Sequence, residues 1–97
     1  MALIVKKFGG SSVGSTEKIM NVAKRIIEEK KPGDQIVMVV SAMGDTTDDL
    51  IELAKGINSN PYQYSREMDM LLTTGEQVSI SLLTMAFKSL GQKAISL

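Results

Sequence analysis

Leu3, Ile4 and Val5 open the chain as a short β-prone run that continues through Lys6-Lys7-Phe8 and breaks at Gly9-Gly10, which predicts a strand followed by a turn. Farther on the apolar period changes. Ile19, Val22, Ala23, Ile26 and Ile27 fall at i, i+3, i+4, i+7 and i+8, the stripe of an amphipathic helix over about residues 15–30. Lys30 and Lys31 suit its carboxyl end, and Pro32-Gly33 stops it. Ile36-Val37-Met38-Val39-Val40 is apolar at every position, the pattern of a strand covered on both faces, as parallel strands are. A second helix is predicted over about 47–57, with Leu50, Ile51, Leu53 and Ala54 for packing. A polar loop with Pro61 follows over 58–64. A third helical region then runs over about 65–90, with Met68, Leu72, Ser79, Leu82, Leu83, Ala86 and Leu90 along one face. Gly75 in its middle weakens a helix by about 1 kcal/mol relative to Ala, so a break or a functional reason is expected there. Gly91 ends it, and Lys93–Leu97 reads as a third strand.

Two strands joined by a helix make a right-handed βαβ unit, and the whole pattern predicts an α/β domain with a mainly parallel sheet. The chain has 97 residues, enough for one small domain at most. It stops within the third predicted strand, which leaves an apolar edge and predicts that residues 1–97 open a longer protein.

Composition removes several chemistries. With neither cysteine nor histidine, the chain can form no disulfide, thiolate metal site, Ser-His triad or imidazole acid–base pair of its own. Eleven basic and eleven acidic residues cancel, which gives no electrostatic case for nucleic acid or an anionic membrane. The start MALIVKKFGG has too few apolar residues before its lysines for a signal peptide, and no run is long enough to span a membrane. The expected setting is cytoplasmic.

Three segments carry candidate chemistry. KFGGSSVGST has the glycine spacing of a P-loop in Gly9 and Gly14, but Ser15 and Thr16 stand where that motif needs Lys and then Ser or Thr. Its lysine, Lys7, precedes the glycines instead. A strand running through paired glycines into a helix leaves backbone N–H groups for an anion, with Lys7 as a compact positive charge and Ser11 and Ser12 as further donors. A plain strand-to-helix turn capped by its serines is the alternative. VVSAMGDTTDDL follows the second strand, at the carboxyl end of the sheet where ligands of open α/β folds bind, and it offers Ser41, Thr46 and Thr47 as hydroxyl partners. Asp45, Asp48 and Asp49 fit a helix amino terminus, or a Mg²⁺ ion near a nucleotide. LLTTGEQVS places Glu76 in an apolar helical stretch, where a buried carboxylate needs a partner and an exposed one does not.

Taken together, KFGGSSVG, VVSAMGDTTDDL and REMDMLLTTGEQVS resemble the opening third of an aspartokinase, in order and over essentially the whole chain. Lys-x-Gly-Gly alone is shared with acetylglutamate, glutamate and uridylate kinases, whereas SAMGDTTDDL and REMDMLLTTGE point to the aspartate enzymes. The resemblance implies the amino-terminal portion (1–97) of the three-layer αβα amino-acid kinase fold. It also implies transfer of the γ-phosphoryl group of ATP, with Mg²⁺ carried by the nucleotide, to the β-carboxylate of L-aspartate. By the same likeness Lys7 contacts the transferring phosphate, and the amides of Phe8, Gly9 and Gly10, with Ser11, cradle the β- and γ-phosphates. Ser41 stands near phosphates and substrate, and Thr47 and Glu76 bind aspartate, Glu76 through its α-ammonium. Gly-Gly-Ser stands where many members have Gly-Gly-Thr, which keeps the hydroxyl. The arginine for the aspartate α-carboxylate, a second acidic catalytic residue, the adenine pocket and the ACT regulatory domains lie beyond residue 97 in the family, whose members form homodimers or larger assemblies. Residues 1–97 alone are therefore expected to be inactive.

Two other readings remain at this level. A non-catalytic α/β module could use a single anion nest to bind a phosphorylated metabolite, or an open sheet edge to bind a protein. A dinucleotide-binding half is disfavoured, since no G-x-G-x-x-G occurs at the first turn.

Overall fold

The computed structural model describes residues 2–97. Strand β1 (Leu3–Phe8) leads to helix α1 (Thr16–Glu29), then strand β2 (Gln35–Val40), helix α2 (Thr46–Ile57), a single 3-10 turn at Pro61–Tyr64, and the long helix α3 (Ser65–Ser89). The strands pair in parallel, in register from Leu3 opposite Gln35 to Phe8 opposite Val40. Asp34 holds the amino end of this pair. Its carboxylate accepts from the amides of Ala2 and Lys31, both at 3.2 Å, while Gln35 N–H donates to Ala2 O at 2.8 Å.

Successive strand residues face opposite sides of the sheet. Ile4, Phe8, Ile36, Met38 and Val40 meet the helices, where Val13, Ile19, Val22, Ala23, Ile26, Leu83, Ala86 and Phe87 complete one core. Lys6 shares that side but keeps its Nζ at the rim, 3.1 Å from Glu29 Oε2. The Arg25 guanidinium lies over the Phe8 ring, 5.4 Å from its centroid. Helix α1 packs on α3, and α3 also touches α2, the 3-10 turn and β2.

The opposite face of the sheet is open. Leu3 and Val5 are 70% and 66% exposed, and Val37 and Val39 45% and 46%. The expectation that β2 is covered on both faces is therefore corrected for this chain, because both helices that meet the sheet do so from one side. The described residues supply two layers of the expected three.

Two further expectations are corrected. Lys93–Leu97 is not a strand. A strand exists only through a ladder, and this segment has no pairing partner among the described residues; Ala94 touches the core while Ile95 is 81% exposed. Of the break or functional reason expected at Gly75 there is no break, since helix α3 runs unbroken through it. Its true end is a hydrogen-bonded carboxyl cap around Gly91 (φ 83°), with Gln92 N–H donating to Phe87 O at 2.9 Å and Gly91 N–H to Lys88 O at 3.0 Å. The core-facing stripe of α3 comprises Met68, Gly75, Ser79, Leu83, Ala86 and Phe87, so it includes Phe87 and leaves Leu90 at the exposed cap.

Candidate functional site

The turn after β1 is longer than a direct strand-to-helix step. Seven residues separate Phe8 from Thr16, and Ser12 N–H donates to Gly9 O (3.1 Å) and Val13 N–H to Gly10 O (3.3 Å). Val13 is fully buried and anchors the turn in the core. The helix cap is Ser15, whose Oγ accepts from the Lys18 amide at 3.2 Å; Ser11 and Ser12 are exposed and do not cap. Among the described residues, the amides of Gly9, Gly10 and Ser11 have no protein acceptor. The amides of Thr16 and Glu17 at the start of α1 are likewise without a protein acceptor, so the donors open to an anion run from the turn into the first turn of the helix. Lys7, one residue before the end of β1, is exposed on the open face of the sheet, with no carboxylate within ion-pair distance among the described residues.

The loop after β2 lies against this turn. Ser41 N–H donates to Phe8 O at 3.2 Å, which extends the ladder by one residue, and Gly44 N–H donates to Gly10 O at 3.1 Å. The approach is close enough that a Cβ on Gly10 would lie 2.8 Å from Ala42 O and 3.3 Å from Gly44 O. Gly44, at φ +48°, turns the chain, and Thr46 N–H then donates to Met43 O at 2.9 Å as α2 begins. Thr47 is exposed in the first turn of α2.

Helix α3 closes the arrangement at Gly75. A Cβ there would lie 3.0 Å from Ala42 Cβ, 3.2 Å from Thr46 Cγ2 and 3.4 Å from Leu50 Cδ1. The next residue, Glu76, is solvent-exposed and makes no ion pair among the described residues, so of the buried and exposed alternatives the carboxylate takes the exposed one. The helix turns about 100° per residue, so a buried Gly75 and an exposed Glu76 are compatible.

The fold therefore brings together Phe8, Gly9, Gly10 and Ser41 by direct hydrogen bonding between their loops, and it docks α3 against the second loop one residue before Glu76. Thr47 and Glu76 flank that contact and do not hydrogen-bond each other. Sequence reasoning missed Ala42 and Gly44 as the residues that join the segments. Their signal was the small residues Ser41, Ala42 and Gly44 clustered directly after a strand. Two shallow grooves of about 210 and 190 Å³ lie elsewhere, one between α1 and α3 and one beneath the 3-10 turn, and neither includes an expected site residue.

This arrangement of loops at the carboxyl ends of two parallel strands has close counterparts. A model of the amino acid kinase family matches residues 2–97. The chain belongs to the amino acid kinase family. It is 66% identical over 96 residues to an aspartokinase of Bacillus sp. (strain MGA3) and 62% identical to aspartokinase 2 of Bacillus subtilis (strain 168), covering 99% of this chain and 23% of each relative. A crystal structure of aspartate kinase from Synechocystis superimposes with a TM-score of 0.91 at 57% identity, covering 98% of this chain and 16% of that one. The chain thus spans about 23% of the length of these curated relatives, and over that span the α/β backbone is that of an aspartate kinase structure.

Proposed function

We propose that the protein to which these residues belong is an aspartate kinase, transferring the γ-phosphoryl group of ATP to the β-carboxylate of L-aspartate to give 4-phospho-L-aspartate. The observation that carries the reading is the Gly44 N–H to Gly10 O bond, which ties a turn with free amides to the loop bearing Ser41 and Thr47. Two reactants held by two joined loops meet in fixed relative geometry, and phosphoryl transfer depends mainly on such positioning and on charge stabilisation.

In this reading the amides of Gly9, Gly10 and Ser11, with Ser11 in place of the Phe8 amide that the resemblance implies, hold the terminal phosphates, and the bare Cα atoms of the glycines admit them closely. Lys7 supplies positive charge to the phosphoryl oxygens as negative charge spreads over them. Ser41 bonds where phosphate and acceptor meet. Thr47 and Glu76 bind aspartate from the α2 and α3 side, Glu76 through the α-ammonium. An exposed Glu76 suits that role, since the partner is then the substrate and not a neighbouring lysine. Mg²⁺ bound to ATP as its counter-ion would neutralise phosphate charge. Among the described residues no three His, Cys, Asp or Glu side chains are grouped to hold a metal, so no step is assigned to Asp45, Asp48 or Asp49. ATP and a free amino acid as substrates are compatible with the cytoplasm, the setting expected for the reaction.

The test is a hydroxamate assay on the full-length protein with ATP and a panel of acceptors. Aspartate as preferred acceptor supports the reading; preference for acetylglutamate or UMP overturns it.

A further inference from the structure

Gly75 occupies a position where glycine has no conformational reason to be. It lies mid-helix in α3, its φ is not positive, and glycine is among the weakest helix formers. What it provides is space, since the Cβ that any other residue carries would lie 3.0 Å from Ala42 Cβ and 3.2 Å from Thr46 Cγ2. The nearer neighbour cannot swing aside, and the other can move only by rotation about χ1. The Ala42 Cβ is fixed to its backbone, and Thr46 is β-branched and opens α2. Ala42 is 3% exposed, and its carbonyl lies where a Cβ on Gly10 would be 2.8 Å away. One residue therefore meets the phosphate-facing turn through its oxygen and α3 through its methyl group. It cannot move from one without changing its distance to the other.

We infer that Gly75 is a positioning residue for the reaction proposed above: its missing side chain seats the Ala42–Thr46 loop on α3, and this seat sets the spacing between Thr47 and Glu76, the two groups assigned to the amino-acid substrate. The inference rests on that assignment. It adds that acceptor binding depends on a contact that touches no substrate.

The experiment compares wild type, G75A and the double variant A42G/G75A in the full-length protein, measuring KM for aspartate, KM for ATP, kcat and the melting temperature. A displacement of a few tenths of an ångström should raise the aspartate KM about 10-fold in G75A, while the ATP KM changes by no more than about 2-fold. Removing the Ala42 methyl group takes away the atom at 3.0 Å, so A42G/G75A should recover an aspartate KM within about 3-fold of wild type. A G75A protein that melts lower yet keeps both KM values overturns the inference, as does a double variant with the same aspartate defect. Should G75A fail to fold, A42G/G75A decides alone: a folded protein with near-normal aspartate KM supports the seat, and an unfolded or equally impaired one overturns it. Failure of the wild type to phosphorylate aspartate would instead overturn the reading of the reaction, a result visible before any variant is compared.

Discussion

Gly9 and Gly10 are adjacent, identical in chemistry and opposite in what an added methyl group meets. A Cβ on Gly9 has nothing within 4 Å, whereas one on Gly10 would lie 2.8 Å from Ala42 O. Contacts that short do not persist, so in G10A the second loop must shift. Overpacking of this kind costs about 1–3 kcal/mol. The shift also lengthens the 3.1 Å bond from Gly44 N–H to Gly10 O, a loss of about 1 kcal/mol. Against this, alanine stiffens the unfolded chain and returns about 0.4–1 kcal/mol. The net destabilisation of the loop contact is about 1 to 3.6 kcal/mol, and since 1.4 kcal/mol is a factor of ten, exchange of the Gly44 amide should quicken by roughly 5- to 400-fold. Hydrogen exchange read by mass spectrometry on a peptide spanning 41–47 measures this directly, with G9A as the matched control. G9A should leave that peptide unchanged or slightly more protected. Equal protection in the two variants would refute the claim that the loops are joined at Gly10.

Three other outcomes follow from the same geometry. K7A should lower kcat about 10²- to 10³-fold and leave the aspartate KM within about 3-fold, as loss of one positioned charge at a developing anion does; unchanged kcat in steady-state assays would remove Lys7 from the mechanism. E76Q should raise the aspartate KM about 10- to 100-fold, the worth of a charge-assisted hydrogen bond, and an effect confined to the ATP KM would contradict the assignment. S15A should destabilise the start of α1 by about 1 kcal/mol, seen as faster exchange at residues 16–20; unchanged exchange there would mean that the 3.2 Å bond to the Lys18 amide contributes nothing.

Element positions were legible because each rests on a local rule. The i, i+3, i+4 stripe from Ile19 to Ile26 fixed α1, and the stops at Pro32-Gly33 and Gly91 lie where the backbone adopts positive φ. The residues that misled share a non-local cause. Ile36–Val40 is apolar on both sides, which fits a strand covered on two faces, yet only the side toward α1 and α3 is covered in this chain. Ala94-Ile95-Ser96-Leu97 has β propensity, but propensity forms no ladder without a neighbouring strand. In both cases the local pattern describes an environment that the described residues supply only in part.

The site shows the same division more sharply. Glycines flagged the places of interest, and the sequence could say that Gly10 and Gly75 have reasons, because paired glycines after a strand admit close approach and a glycine in a helix interior needs a cause. It could not say that both reasons are Ala42. That residue has no polar atom in its side chain, fits no motif and sits between a hydroxyl and a methionine. Its importance lies in being 2.8 Å by its oxygen from one absent methyl and 3.0 Å by its Cβ from another. The chemistry-bearing residues are recognisable by type, since Lys, Ser, Thr and Glu can each do only a few things. The residues that space them are recognisable only by what would not fit, and that quantity exists only once two segments more than thirty positions apart are placed side by side. If A42G restores G75A, the aspartate affinity of this family member depends on that spacing as well as on the groups that touch the substrate.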